Sequence, residues 1–467
     1  MFSRFKIKKK LANKKIVLNI IAPVVALSLL GSLSAAFPGC KADPTKGKAE
    51  LQFWGVFDDS DAFTPLIQKF NETYGKVKIT YRKETYADYE KDLVDALAAG
   101  RGPDIFMIEN TWLPKHIDKI SPIPETSIYS GEESMTIKEF KDSFVDVAAQ
   151  DFVFSKKDDK GNALPQRIYA LPLFVDTLAL YWNKDIFNSA GISAPPKTWD
   201  EFNQMVEKLT KKDESNNILL SGASMGTVKN INRGSDILML LMLQTGAEMI
   251  NAAGNEAIFD KTIISGNQTF QPGLNSLQFY TNFADPSKKS YTWNNNLDYS
   301  IDAFAEGKSA MMINYSFHTP TIRAKQPHLR FGIAPIPQPK DAQIDVSYPN
   351  YWGVTVSASS DANKQQYAWI FLKWLTQQPQ AQQYLDKTKR PTARRDLIDY
   401  QQSNLELGVY AKQSLEARSW YEVDNLAIDA IFDDMINSVN NGKLDASQAV
   451  SQAASQVSIL MEKKLKK

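Results

Sequence analysis

Residues 169–183 read Y-A-L-P-L-F-V-D-T-L-A-L-Y-W-N, an almost entirely apolar stretch with a single acid, Asp176. A short apolar run of this kind is typical of a buried extended segment. Pro172 cannot donate a hydrogen bond to a sheet ladder, so we expect it at an edge or at a break between two extended pieces. An acid at such a break needs a protein partner or a ligand, because an unpaired buried charge is costly.

The N-terminal part of the body alternates between strand and helix patterns. Strand patterns cover residues 49–54, 77–81 and 102–108, and helix patterns lie between them. The second helix pattern repeats apolar residues at Tyr89, Leu93 and Leu97 and is closed by a glycine. This β-α-β-α-β order predicts an α/β fold with a parallel sheet and helices on both of its faces.

Composition limits the kinds of partner. Residues 1–39 carry seven Lys and Arg and no acid, and the rest of the chain has 47 basic against 53 acidic residues, a net charge of −6. A mildly acidic body argues against nucleic acid, whose binding proteins show a basic footprint. One cysteine excludes an intrachain disulfide, and the three histidines are not paired at metal-ligand spacing, so we expect no metal and no cofactor.

Three motifs carry a family resemblance. They are L-P-L-F-V-D-T-L-A-L-Y-W-N-K-D-I-F-N-S-A-G-I-S-A-P-P-K-T-W-D-E-F at 171–202, G-R-G-P-D-I-F-M-I-E-N at 100–110 and S-I-D-A-F-A-E-G-K-S-A-M-M-I-N-Y-S-F-H at 300–318. Together they resemble extracellular solute-binding protein family 1, the substrate-binding lipoproteins of sugar ABC importers, similar to the maltose-binding protein. The resemblance implies a two-lobed, type II periplasmic-binding-protein-like fold, in which each lobe is a central sheet flanked by helices and a hinge joins the lobes.

The resemblance also implies a division of the chain. Lobe 1 is expected at residues 49–172 plus 335–400, and lobe 2 at 173–334 plus 401–467. The central stretch is then the first crossing between the lobes, and residues 331–337 are expected to form the second. Residues 121–166 form an insert that is expected to be longer than in typical relatives. Within it, Thr136 and Glu139 fit a capping box for one helix ending near Gln150, and the sequence suggests no function for the insert.

A sugar site needs aromatic planes for the flat C–H faces of the ring and polar acceptors for its hydroxyl groups. Residues of these types lie at or just after predicted strand ends, or where relatives place groups that face the cleft. The alternative for each is a core aromatic residue or an acid that caps a helix. The predicted ligand-binding residues are Trp54, Asp59, Glu109, Asp176, Tyr315, Phe317, Trp352 and Trp420.

The predicted function is the extracytoplasmic substrate-binding component of an ABC importer. By resemblance, a monomer captures a sugar or oligosaccharide in the interlobe cleft and delivers it to permease subunits, which a cytoplasmic ATPase powers. A membrane-tethered glycan-binding adhesin or receptor is one alternative. The other is a hydrolase, because G-A-S-M-G at 222–226 matches a nucleophile elbow around Ser224, with His318 and His328 further along. We expect a binding protein and not an enzyme.

The N-terminus has the pattern of an export signal. The basic residues of 1–15 are followed by a mostly apolar run that ends directly before Gly39 and Cys40. A sole cysteine in this place resembles a bacterial lipobox, in which the cysteine is lipidated and becomes the mature N-terminus. An uncleaved anchor is the alternative, since about 20 apolar residues span a bilayer. Residues 40–48 then form a polar tether, and the body lies at the outer face of the cytoplasmic membrane, at the cell surface or in the periplasm.

We therefore predict that Cys40 carries the tether. Mass spectrometry of the membrane-bound protein should find a mature chain that begins at a lipid-modified Cys40. An intact segment 1–39 would instead identify the apolar run as an anchor.

Overall fold

The computed structural model describes residues 49–75, 77–125, 134–156, 158, 160–265 and 268–465. The predicted export segment, Cys40 and the tether to residue 48 lie outside the described residues, as do residues 126–133 of the insert. Within these described ranges, no helix combines the length and the apolar character that a membrane crossing requires.

The strands of the described chain are short, and most have buried side chains on both faces. They are β1 (Ala49–Gly55), β2 (Val77–Lys83), β3 (Ile105–Glu109), β4 (Ile120–Ser121), β5 (Val153–Phe154), β6 (Arg167–Ile168), β7 (Leu171–Pro172), β8 (Asp176–Thr177), β9 (Ala179–Asn183), β10 (Lys211–Lys212), β11 (Ile218–Leu220), β12 (Ile263–Ser265), β13 (Gln268–Phe270), β14 (Met311–Asn314), β15 (Phe331–Ala334), β16 (Pro349–Asn350) and β17 (Trp352–Ser357).

Helices occupy much of the remaining described chain. They are α1 (Ser60–Thr73), α2 (Tyr86–Ala98), α3 (Leu113–His116), α4 (Ile137–Ser143), α5 (Asp146–Phe152), α6 (Lys184–Ser189), α7 (Trp199–Leu209), α8 (Gly234–Gln244), α9 (Pro272–Asn282), α10 (Ser300–Ala305), α11 (Thr319–Lys325), α12 (Ala362–Leu375), α13 (Gln378–Thr388), α14 (Ile398–Gln402), α15 (Gly408–Gln413), α16 (Asn425–Asn440) and α17 (Ala446–Leu465).

The larger sheet confirms the predicted β-α-β-α-β order. Its strand order is β2-β1-β3-β17-β4, and β7 also pairs with β17. β1 lies between β2 and β3 and is parallel to both, whereas β17 runs antiparallel to β3 with Trp352 opposite Glu109. Pro172 ends the two-residue strand β7, where the extended chain breaks before β8, as its missing N–H predicts.

A second sheet lies further along the chain. β9 is its central strand, and β14 and β15 pair with it antiparallel on either side. The register places Leu180 opposite both Ile313 and Ala334. Because β9 is covered on both edges, its apolar sequence is buried, as the central stretch predicted.

Each sheet organises its own large hydrophobic cluster. Buried side chains of 49–175 and most of those of 351–398 pack together around the larger sheet, and we call this body lobe 1. Buried side chains between 178 and 348, with most of those of 420–461, pack around the second sheet and form lobe 2. A smaller cluster around Tyr181 and Tyr410 adjoins the second sheet.

The chain passes between the lobes three times, and the first two of these connections lie side by side. β8 and β16 pair antiparallel, with Asp176 opposite Asn350. The second crossing was expected at 331–337, and this is wrong: residues 331–334 form β15, and Ile336 packs in the lobe 2 core. The register with β9 holds this segment in lobe 2, so the chain returns only at β16.

The described part of the insert contains two helices rather than one. Thr136 and Glu139 form the predicted capping box at the start of α4. A single helix ending near Gln150 was expected, but α4 ends at Ser143 because Phe144 is extended and forms a β-bridge with Arg394. The chain then begins α5, which reaches the cleft.

Asp104 of the G-R-G-P-D motif should be important for stability. It is buried and accepts hydrogen bonds from the backbone N–H of Gln52 at 2.9 Å and from Ser360 Oγ at 2.7 Å, and Lys364 Nζ lies 3.2 Å away. Asp104→Ala should lower the free energy of unfolding by about 2–3 kcal/mol, because it leaves buried donors without an acceptor. The measurement is denaturant unfolding.

The matched control is Asp142→Ala, which removes an exposed acid paired with Lys138 one helical turn away. An exposed pair of this kind contributes little, so no clear change is expected. Equal losses in the two variants would contradict the assigned role of Asp104.

Candidate functional site

A cavity of about 420 Å³ lies between the two lobes. Its volume is typical of small-molecule sites, which occupy about 300–1,000 Å³. Its wall is mostly aromatic, with two arginines and one acid. The lining residues are Phe57, Tyr86, Phe174, Asp176, Asn232, Arg233, Tyr315, Phe317, His318, Asn350, Trp352 and Arg390.

Strand ends explain where this cavity forms. β1 ends at Gly55, just before Phe57, and β3 ends at Glu109 beside Trp352, the first residue of β17. On the lobe 2 side, β14 ends at Asn314, directly before Tyr315. Ligands of open α/β sheets bind beyond the carboxyl ends of the strands, and this cavity lies there.

Arg390 is the most firmly held polar group of the cavity wall. Its Nε and Nη2 donate to Asp58 Oδ1 at 3.1 and 2.8 Å, and Tyr384 donates its hydroxyl hydrogen to Asp58 Oδ2 at 2.7 Å. Both charged residues are buried, at 8% exposure each. Among the described residues, the Nη1 group of Arg390 forms no hydrogen bond, so its N–H donors remain for a ligand.

Aromatic rings enclose the same guanidinium. Its carbon lies 4.4 Å from the ring centre of Phe174, 5.6 Å from that of Phe57 and 5.7 Å from that of Phe317. Cation–π attraction at these distances adds to the ion pair in fixing the orientation of Arg390. Phe317 belongs to lobe 2, so this cage spans the cleft.

Asp176 lines the cavity but is already satisfied by the protein. Its Oδ1 accepts from the backbone N–H groups of Thr177 and Ser316 at 2.9 and 3.0 Å. Its Oδ2 accepts from Ser316 Oγ at 2.8 Å and from the N–H of Phe317 at 3.1 Å. Four donors occupy the lone-pair sites of a carboxylate. Burial raises the pKa of Asp176 to about 6 in spite of these bonds.

Asp176 was predicted to bind the ligand, but in the structure four protein donors already satisfy its carboxylate. The carboxylate holds the turn after β14, and that turn carries Tyr315, Phe317 and His318 into the cavity wall. The sequence left open whether this acid has a protein partner or a ligand, and backbone N–H groups are such a protein partner. Asp176 thus fixes the turn whose residues line the cavity, and its part in ligand binding stays a prediction.

Three predicted aromatic residues do reach the cavity. Tyr315 is buried and donates its hydroxyl hydrogen to Asp236 Oδ2 at 2.6 Å. Trp352 meets the ring of Phe57 edge to face at 5.3 Å, and Phe317 meets it at 5.4 Å. Phe317 remains 47% exposed, so its ring lies at the mouth. These rings give the cavity flat apolar surfaces on both lobes.

Arg233 is the second arginine of the wall, and it lies among acids. It precedes α8 in a left-handed conformation with φ 61°. Burial opposes its charge, but Asp236 and Glu109 outweigh that effect and raise the pKa of Arg233. Burial in turn raises the pKa of both carboxyls, and the guanidinium opposes this shift. His318 responds in the other direction: burial and Arg233 lower its pKa to about 4.

Glu109 lies behind the cavity wall rather than on it. It is buried, and its oxygens accept from Asn350 Nδ2 at 2.6 Å and from Asn425 Nδ2 at 3.1 Å. Asn425 begins α16 of lobe 2, so this predicted site residue joins the lobes. Its environment was not visible from the sequence because both partners are more than two hundred residues away.

Trp420 lies in the lobe 2 core next to a smaller cavity. Its indole N–H donates to Met239 Sδ at 3.4 Å, and its ring centre lies 6.3 Å from that of Phe432. The smaller cavity is about 110 Å³ and also borders Asp151, Phe154 and the two residues after Trp420. Trp420 and Asp176 line different cavities, so the structure does not bring this predicted pair together.

Trp54 and Asp59 lie away from both cavities. Trp54 is buried in the lobe 1 core, with the guanidinium of Arg82 4.9 Å from its ring centre. Asp59 is exposed, precedes α1 and pairs with Lys83 at 2.8 Å. Both acids lie in the short loop between β1 and α1, and it is Asp58 that pairs with Arg390 of the cavity wall.

The insert supplies contacts across the cleft. Gln150 Nε2 donates to the carbonyl oxygen of Ser419 at 2.7 Å, and Asp151 accepts from the hydroxyl group of the same serine. The rings of Phe154 and Tyr421 stack 6.4 Å apart. Burial raises the pKa of Asp151 to about 6, although hydrogen bonds oppose it. A segment with no predicted role thus contacts lobe 2.

Sequence reasoning missed more than half of the lining residues. Phe57 and Tyr86 follow β1 and β2, so looking two or three residues beyond each strand would have found them. Arg233 directly precedes α8, and Arg390 lies two residues after the end of α13. No local pattern distinguishes either of them from a surface arginine. Their common position arises only when the two lobes assemble.

The G-A-S-M-G elbow is part of the lobe 2 core. Ser224 is buried, and its hydroxyl donates to Ser309 Oγ at 2.9 Å rather than to a histidine. Its backbone N–H donates to the carbonyl oxygen of Met311, so the segment runs beside β14. The sharp strand-to-helix turn of a nucleophile elbow is not what these residues form, since α8 begins only at Gly234.

A metal centre finds no support in the described residues, where no three His, Cys, Asp or Glu side chains are grouped so as to hold an ion. The acids near Arg233 instead interact with amide, hydroxyl and guanidinium groups.

Comparison with known proteins agrees with this architecture. Residues 54–382 match the model of the bacterial extracellular solute-binding protein family. A binding protein of Brucella abortus strain 2308 is 24% identical over 389 residues, which cover 79% of this chain and 82% of the relative. The multiple sugar-binding protein of Streptococcus mutans is 23% identical over 375 residues, with 79% and 81% covered.

A solved structure shows the same fold. The cyclic α-maltosyl-1,6-maltose binding protein of Arthrobacter globiformis superimposes with a TM-score of 0.71 at 18% identity, covering 89% of this chain and 100% of that protein. The fold is therefore the predicted two-lobed type II arrangement of sheets flanked by helices. Because the family match spans most of the chain, the protein belongs to the bacterial extracellular solute-binding proteins, a family of binding proteins rather than enzymes.

Proposed function

We propose that the protein captures a saccharide in the interlobe cavity and delivers it to an ABC permease. The observation that carries this proposal is the wall of the cavity, where aromatic rings from both lobes surround an arginine held in place by a buried acid. Aromatic planes suit the apolar faces of a sugar ring, and the guanidinium supplies donors to its oxygens. The multiple sugar-binding protein of Streptococcus mutans and the maltotriose-binding protein of Pyrococcus abyssi, both named for saccharides, support the same class of ligand.

Closing of the lobes should accompany binding. The paired strands β8 and β16 join the lobes at one place, and a few residues in such segments can absorb a hinge rotation. The ligand would then be enclosed between Trp352 of lobe 1 and Tyr315 of lobe 2. Each lobe has its own hydrophobic cluster, and we propose that the two lobes move as rigid units.

The location and partners belong to the same proposal. Membership of an extracellular family fits an exported chain, and a lipid on Cys40 would hold it at the outer face of the cytoplasmic membrane. From there the lobes would dock on the permease subunits, whose ATPase lies on the other side of the membrane.

The test of ligand class is calorimetric titration of the full-length protein in detergent. Maltotriose, mannobiose and diacetylchitobiose are suitable probes, because relatives or structural neighbours are named for them. We expect saturable binding of one molecule for at least one probe. The absence of binding to every member of a wider carbohydrate panel would refute a saccharide ligand.

Arg390→Lys should weaken binding by about tenfold or more, because lysine cannot both pair with Asp58 through two nitrogens and present a further donor. The matched control is Arg330→Lys at an exposed arginine paired with Asp185. Titration should show unchanged affinity for the control. Wild-type affinity in a folded Arg390→Lys protein would remove this residue from the site.

Asp176→Asn should act through stability. The amide offers one acceptor oxygen where four donors now converge, so the turn at 315–318 loses hydrogen bonds and the melting temperature falls.

Because burial raises the pKa of Asp176 to about 6, the wild type loses stability from this group as the pH rises through that value, and the variant does not. Thermal unfolding at several pH values measures both effects; equal pH dependence would contradict them.

We also infer that the protein turns over no substrate. Ser224 has a serine rather than a histidine as its hydrogen-bond partner, which supports this inference. Incubation with ester and glycoside substrates should give no product above buffer. Hydrolysis that disappears in Ser224→Ala would overturn it.

A further inference from the structure

The acids of the interlobe cavity are occupied by protein groups, whereas its arginines are not fully occupied. Among the described lining residues Asp176 is the one acid, and protein donors fill its four lone-pair sites. Asp58 is not part of the lining and bonds to Arg390 and Tyr384. Neither carboxylate is therefore left to accept hydrogen bonds from a ligand, while two arginines still face the cavity.

Arg390 presents an oriented donor to this space. The residue is 8% exposed, and its Nε and Nη2 are fixed by the two hydrogen bonds to Asp58. Its Nη1 group forms no hydrogen bond in the described part of the chain and is not sealed off by protein atoms, so it opens on the cavity. A donor that is already held in place loses little conformational freedom when a ligand binds.

Arg233 adds a second guanidinium group to the same wall from lobe 2. Within the described ranges, no ion pair within 4 Å joins its side chain to an acid. Asp236 and Glu109 act on its charge from a longer distance. Their own hydrogen bonds go elsewhere, from Tyr315 to Asp236 at 2.6 Å and from two asparagines to Glu109. The guanidinium of Arg233 therefore borders the cavity without a carboxylate in direct contact.

The remaining polar groups of the lining are neutral. They are the side chains of two asparagines, two tyrosines and His318. Burial together with Arg233 lowers the pKa of His318 to about 4, so its imidazole is uncharged at neutral pH. Amide, hydroxyl and imidazole groups both donate and accept, which suits the hydroxyl groups of a sugar. The two arginines instead suit a ligand group that accepts and carries negative charge.

We propose that the ligand is a uronate, a saccharide whose ring carries a carboxylate, and that this carboxylate accepts a hydrogen bond from Nη1 of Arg390 and is attracted by the charge of Arg233. The inference rests on the proposed capture of a saccharide and names its chemical class. A carboxylate accepts without donating, and a charge-assisted hydrogen bond is about twice as strong as a neutral one. The aromatic rings of both lobes then cover the apolar faces of the sugar ring.

The first test compares an acid with its own ester by calorimetric titration of the full-length protein in detergent. The acidic probes are the mono- and disaccharides of galacturonic, glucuronic and mannuronic acid, and the neutral probes are maltotriose, mannobiose and diacetylchitobiose. We expect the tightest uronate to bind about tenfold or more tightly than every neutral probe. Its methyl ester keeps the sugar ring but loses the charge, and should bind about tenfold more weakly than the acid.

The same titrations separate this inference from the proposed function. Equal affinity for acid and ester would overturn the inference and leave the capture of a saccharide standing, as would a neutral probe that binds more tightly than every uronate. Glucose 6-phosphate shows whether the recognised anion is a carboxylate, and tighter binding of this sugar phosphate than of every uronate would overturn the proposed class. If no saccharide binds, the proposed function fails and the inference fails with it.

Arg233→Gln tests the contribution of the second arginine. Residue 233 already has a side chain at φ 61°, so glutamine adds no new backbone strain. Affinity for the acid should fall by about tenfold while affinity for the ester changes little, because only the acid interacts with the lost charge. Arg233→Lys keeps the charge and should retain most of the difference between acid and ester.

The matched control is Arg330→Gln at the exposed arginine paired with Asp185, which should leave both affinities unchanged. Thermal unfolding checks that each variant is folded. An acid-to-ester ratio in folded Arg233→Gln that equals the wild-type ratio would overturn the assigned role of Arg233. The comparison of acid and ester on the wild type needs no variant, so it decides the ligand class even if Arg233→Gln does not fold.

Discussion

The buried ion pair between Asp58 and Arg390 is the constraint on which the cavity depends. It joins the chain just after the first strand to the chain just after α13, and Tyr384 completes the set of hydrogen bonds. Neighbouring backbone contacts hold the same region, since the N–H of Val175 donates to the carbonyl oxygen of Pro391 at 3.2 Å. A buried charge without its partner is costly, so the loop after β1 and the segment after α13 stabilise each other's position in the lobe 1 core.

This constraint has a chemical consequence for recognition. Three acids at or behind the cavity are already bonded to the protein: Asp58 to Arg390, Asp176 to the turn after β14, and Glu109 to two asparagines. The polar groups left for a ligand include the Nη1 donors of Arg390 and the unpartnered Oδ1 of Asn232, set among aromatic rings. Acids in this family member therefore act chiefly on the protein groups that surround the ligand.

Several of the contacts that join the lobes are polar, whereas the cavity wall is largely aromatic. Lys115 lies 2.8 Å from Glu90 of its own lobe and 3.3 Å from Asp424 of the other, and residues of the insert bond to Ser419. Such contacts exchange readily for water when the lobes part, which suits a body that must both hold and release its ligand.

The amino-acid sequence by itself determined the α/β class, the buried central stretch and the family. The succession of strands and helices along the chain, the break at Pro172 and the capping box at Thr136 depend on neighbours within a few residues, so local pattern suffices for them. Family motifs then implied the two lobes, because they record the fold of the relatives. The second crossing was misplaced since the pairing of β15 with β9 is a contact between distant residues.

The site itself was decided mostly by tertiary structure. Strand-end aromatic residues such as Trp352 and Tyr315 could be predicted, because strand ends are visible in sequence and converge at one edge of a sheet. The choice of Asp58 over Asp59 depends on the direction of one side chain towards Arg390, more than three hundred residues away. Glu109 likewise meets Asn350 and Asn425 only when both lobes are folded, because these residues are more than two hundred positions apart in the chain.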